Sequence, residues 1–207
     1  MTRTLFLLIS LTSFTLTILG QNNKNSSIFL RATTSVAGGE YFIDILPSNY
    51  NTKLIFKIKK RIRQSELEAD TNTVRYRQIL KSVKNFIPTN DTVKTYLAKL
   101  DSIYIAYTLY DTDSLIVTNS KNENYLKLIQ EVLNSPTEIL ENKNHFVLDG
   151  TRMNFTLTNN GISRTVYAHS PTLTSNPSLY KLITETTALY RMNKRNNFLN
   201  KRRTYGY

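Results

Sequence analysis

The sequence has no cysteine and no tryptophan, only two histidines, and 15 Asp and Glu against 27 Lys and Arg. Without cysteine there is no disulfide, no thiolate zinc site, no cysteine nucleophile and no lipidated cysteine behind a leader. That absence does not argue for a reducing compartment, because a chain of 207 residues can bury a sizeable core without covalent staples. His145 and His169 are too few to build a zinc site at recognisable spacing, and no metal or other cofactor is expected. His169-Ser170 sets a base beside a hydroxyl, which makes His169 a catalytic candidate, but no G-x-S-x-G elbow accompanies it. Adjacency in sequence is not the geometry of a triad, so a strand-end histidine in polar surroundings is the expectation. The shortage of acid leaves a formal net charge of +12, which favours contact with anionic surfaces.

The first twenty residues, MTRTLFLLISLTSFTLTILG, carry Arg3 followed by an uncharged apolar stretch from Leu5 to Leu19. Gly20 is a small residue at a plausible cleavage point, so residues 1–20 are expected to be a secretory signal peptide. The stretch is short for a membrane span, and Ser and Thr dilute it. No later segment approaches a span, so no transmembrane segment is expected after cleavage and an exported, periplasmic or extracellular, location follows. The mature chain keeps 26 basic residues against 15 acidic ones, a net of +11.

Residues 21–27 are polar and Asn-rich and read as a flexible lead-in. Residues 28–35, 40–46 and 53–62 alternate apolar and polar positions and are punctuated by Gly38-Gly39 and Pro47-Ser48-Asn49, which predicts a β-meander. A second meander is predicted over His145–Tyr167, with tight turns at Asp149-Gly150 and Asn160-Gly161. Residues 64–72 read as loop. Helices are predicted from Thr73 to about Ile87 and from the Asn90-Asp91-Thr92 cap to about Tyr107. Two more are predicted from Asn122 to Leu133 and from Pro177 behind an Asn176 cap. The fold class is therefore α+β: one antiparallel sheet built from two meanders, with about four helices mainly on one face. Residues 28–192 are read as one domain and residues 193–207 as a basic, mobile tail.

Three features stand out as sites. Lys53, Lys57, Lys59, Lys60, Arg61 and Arg63 form a run with no acid, and the last five are candidates to bind an anionic protein, glycan or lipid surface. The competing structural explanation is that lysines protect a sheet edge from pairing. Arg191, Lys194 and Arg195 could add attraction, although cations also suit a helix C-terminus with no partner at all. Nothing points to a specific nucleic acid. Tyr96, Tyr104 and Tyr107 share a helix stripe and are expected in the core.

The string Tyr110-Asp111-Thr112-Asp113-Ser114-Leu115, expected on a hairpin, is similar over six residues to the metal-binding carboxylate turn of B-family DNA polymerases. Its Asp-x-Asp also resembles that of haloacid-dehalogenase phosphatases. Either resemblance implies Mg²⁺ held by Asp111 and Asp113 and a metal-assisted hydrolase or transferase chemistry. The remaining motifs of both families are missing, so a polar turn is the expectation for these two aspartates. The reading that results is a non-catalytic exported domain that binds an anionic macromolecule. A metal-assisted hydrolase and a structural subunit without ligand are the alternatives.

Overall fold

The computed structural model describes residues 26–34, 39–82, 91–141, 150–194, 196–204 and 206–207. The predicted signal peptide, most of the predicted lead-in, the 146–147 strand, His145 and Arg195 lie outside these residues. The described chain is α+β. Strands β1 (Ser27–Thr34), β2 (Glu40–Pro47), β3 (Asn51–Ile62), β4 (Thr108–Thr118), β5 (Thr151–Asn159) and β6 (Ile162–His169) form a six-stranded antiparallel sheet. Its order is β4-β3-β2-β1-β5-β6. The helices are α1 (Gln64–Ala69), α2 (Thr71–Ser82), α3 (Asp91–Tyr107), α4 (Glu123–Asn134), the single turn α5 (Thr137–Leu140) and α6 (Pro177–Asn193). None of the described helices is long and apolar enough to cross a membrane.

The first strand is the centre of the sheet. β1 pairs on one side with β2, Leu30 opposite Ile43, and on the other with β5, Leu30 opposite Phe155. Both edges of β5 are thus taken, by β1 and β6. A meander that placed a 146–147 strand directly beside β5 has no free edge there, and β1 fills the place it would need. The Asn160-Gly161 turn between β5 and β6 forms as expected, with φ of 52° and 80°.

The described residues fall into two compact units, one of residues 1–56 and 113–207, the other of residues 57–112; β3 and β4 each contribute to both. In the first unit the alternation of the strands decides the core. Ile28, Leu30, Ile43, Ile45 and Phe155 point to one face and are buried beneath Leu182, Ile183 and Thr186 of α6, leaving a void of only ≈ 10 Å³. Helix α4 lies beside α6, its stripe Tyr125, Leu128, Ile129, Val132 and Leu133 buried as predicted. Tyr125 Oη and Thr186 Oγ1 are hydrogen-bonded at 2.8 Å in that interface. At the other end of α4, the Arg164 guanidinium donates to the carbonyls of Val132, Leu133 and Ser135, satisfying oxygens the helix leaves orphaned.

Residues 194–207, expected as a mobile tail, are folded back wherever they are described. Leu199 and Thr204 are buried, the Phe198 ring sits 6.0 Å from that of Tyr190, and Tyr207 Oη donates to Pro171 O. Arg191 drives this return. Its guanidinium donates to Leu199 O, Thr204 Oγ1 and Tyr207 O, and burial lowers its affinity for the proton.

In the second unit, residues 64–69 are helical rather than loop. Gln64–Glu68 and Arg63–Glu66 link positions four and three apart, and Leu67 is the one buried side chain. Asp70 rather than Thr73 caps α2, its Oδ1 accepting Thr73 N–H at 2.8 Å. That bond, opposed by burial and aided by the Tyr107 hydroxyl at 3.0 Å, lowers the Asp70 pKa. Helix α3 ends at Tyr107 and runs straight into β4.

Candidate functional site

The two aspartates of the DTDS string sit inside β4, not on a hairpin. Being two apart on a strand they share a face, yet each is held by a different set of groups. Asp111 pairs with Lys60 at 3.2 Å, both side chains well exposed. Asp113 accepts from Tyr190 Oη, from Ser114 N–H at 2.7 Å, from Lys194 Nζ at 3.2 Å and from Asn196 Nδ2 at 3.3 Å. Burial works against the charged carboxyl, but these four donors outweigh it and hold the Asp113 pKa down at about 2. The same contact, together with burial, pushes the Tyr190 hydroxyl up to about 12. Asp113 is thus the fastener that ties β4 to α6 and to the returning segment, and Lys194, read as anion-binding, closes on it.

His169 lies on β6, at the opposite edge of the sheet from β4. It does not converge with Asp111 and Asp113, and among the described residues no group of three His, Asp or Glu side chains could hold a metal ion. Ser170 has φ +46° and its Oγ accepts Thr151 N–H at 2.8 Å. A Cβ on Gly150 would lie 2.3 Å from that Oγ and 2.9 Å from His169 Cε1. The His169-Ser170 pair therefore closes a tight junction at Gly150.

The basic run is split by its surroundings. β3 lies between β4 and β2, so it is not an edge and its cations do not protect one. Alternation turns Lys57, Lys59 and Arg61 to the face opposite the buried Ile58. Lys59 Nζ donates to Tyr104 Oη at 2.6 Å and stands 5.3 Å from that ring. Arg63 bonds Glu66 and Ala106 O and lies 5.3 Å from the Tyr107 ring. Lys60 and Arg61 are exposed and Lys57 is half-buried.

A feature not foreseen is a cation–aromatic lattice across residues 57–112. Lys99 stands 5.4 Å from Tyr76 and 5.2 Å from Tyr96, joining α2 to α3. The tyrosines expected in the core are only half-buried: of the α3 stripe Val93 alone is buried. The spacing of Tyr96 and Lys99, three apart on one helix, is the one local signal that could have shown it. No family model matches this chain, and neither curated proteins nor solved structures provide a match.

Proposed function

We propose that this is a non-catalytic, exported binding domain whose residues 57–112 engage an anionic macromolecule. The observation that carries the reading is the position of the basic run on an interior strand. Like charges placed along a strand repel, and on β3 that cost is not offset by edge protection. The rest of this unit reinforces it. Residues 57–112 hold eleven Lys and Arg to six Asp and Glu. Glu66, Asp91 and Asp111 each pair with one cation, and Asp70 holds Thr73 and Tyr107. Arg61, Arg75, Arg77, Lys81 and Lys99 are all exposed on the same unit. The surplus field at its surface is therefore positive, the condition for electrostatic steering of an anionic partner.

The test is retention of the full chain on immobilised heparin as salt is raised. Lys60→Glu with Arg61→Glu, both exposed, should elute the protein at markedly lower salt while leaving its melting temperature unchanged. Unchanged elution would remove residues 57–63 from the contact and with them this reading.

A further inference from the structure

We propose that the partner is a protein, and that an acidic, amphipathic segment of it inserts an apolar side chain between α2 and α3; this rests on the anion-binding reading above. The sequence gives α3 seven apolar or aromatic positions at helical spacing, a stripe that ordinarily seeks a covering layer. In the structure α2 supplies little of one: its only buried residue is Thr73, and Val74 is 43 % exposed. Between the two helices lies a groove of ≈ 290 Å³, floored by Leu67, Leu97, Leu100 and Tyr104 and rimmed by Arg77 and Asp101. Leu97 is 39 % exposed in it.

Size and charge select the occupant. The groove falls just short of the 300–1,000 Å³ usual for small-molecule sites and suits one or two side chains. Its concave apolar floor suits a protruding knob, which a glycan or a flat lipid surface does not offer. Lys99 and Arg77 on the flanking helices and Lys59 against Tyr104 bring positive charge to the groove. That disfavours a second copy of this basic chain and favours carboxylates beside the inserted side chain, the helix-in-groove mode of recognition. The lattice of lysines over tyrosines holds both walls in place, so little ordering entropy is lost on binding.

The experiment uses fluorescence anisotropy with the full chain and two labelled 18-residue peptides. Both carry glutamates in the same number; one has leucines at positions i, i+4, i+7 and i+11, the other has alanines there. The leucine peptide should bind about tenfold more tightly, the worth of burying one large apolar side chain. Leu97→Ser, a change at an accessible side chain, should abolish most of that preference without altering heparin retention. Equal binding of the two peptides, or a preference that survives Leu97→Ser, would overturn the groove. If neither peptide binds while heparin does, the groove fails and the anionic reading stands; if heparin does not bind either, both fail.

Discussion

Replacing Asp113 by Asn isolates what an ionised carboxyl contributes at the junction of β4, α6 and the returning segment. The amide keeps the shape of the side chain and can still accept from Tyr190 and Ser114, so the packing of Tyr190 against Phe56, rings 4.7 Å apart, is retained. What is lost is charge: the bond to Lys194 and the strengthening of the other three. Asp113 has its folded pKa depressed from 3.8 to about 2. A depressed carboxyl contributes stability above its unfolded pKa and loses it as pH falls through its folded pKa. The difference between the two values corresponds to roughly 2 kcal/mol, less some screening because a quarter of the side chain reaches solvent. Urea denaturation at pH 7 should therefore find Asp113→Asn less stable by about 1–2 kcal/mol. Between pH 4 and pH 2 the wild-type protein should lose that advantage and the two curves should meet. A variant equal to wild type at pH 7, or a gap that persists at pH 2, would refute the assignment of Asp113 as a charged fastener.

Two further substitutions test the packing. Gly150→Ala should destabilise by about 1–3 kcal/mol in thermal melts, because the Ser170 Oγ it would strike is pinned by Thr151 N–H. Arg164→Met should cost about 2–3 kcal/mol by leaving the carbonyls of Val132, Leu133 and Ser135 without their donor, measured by urea titration with α4 helicity followed by circular dichroism.

The elements legible in the sequence were those that carry their own period. Alternation in residues 28–62 placed three strands, and the stripe of α4 placed its five buried residues. The Asn160-Gly161 pair placed the β5–β6 turn because only residues tolerant of positive φ fit it. Helix α1 was missed because one buried leucine makes no stripe; its support comes from Arg63–Glu66 and Gln64–Glu68. The DTDS string was read as a turn because aspartate is poor in strands. Its partners Tyr190 and Lys194 are 77 and 81 residues away, beyond any local signal. The return of the C-terminal segment hid for the same reason: its basic composition suggested solvent, while Arg191 draws it inward. The positive charge of β3 was legible; that β3 is interior, which separates an edge device from a binding surface, follows only from the sheet order.

The most direct measurement is hydrogen–deuterium exchange of the full chain with and without heparin. Protection centred on residues 57–63 and α3, fading as salt is raised, is the predicted result. Protection confined to β6 or to residues 196–204, with residues 57–112 unchanged, would contradict the assignment of the binding surface.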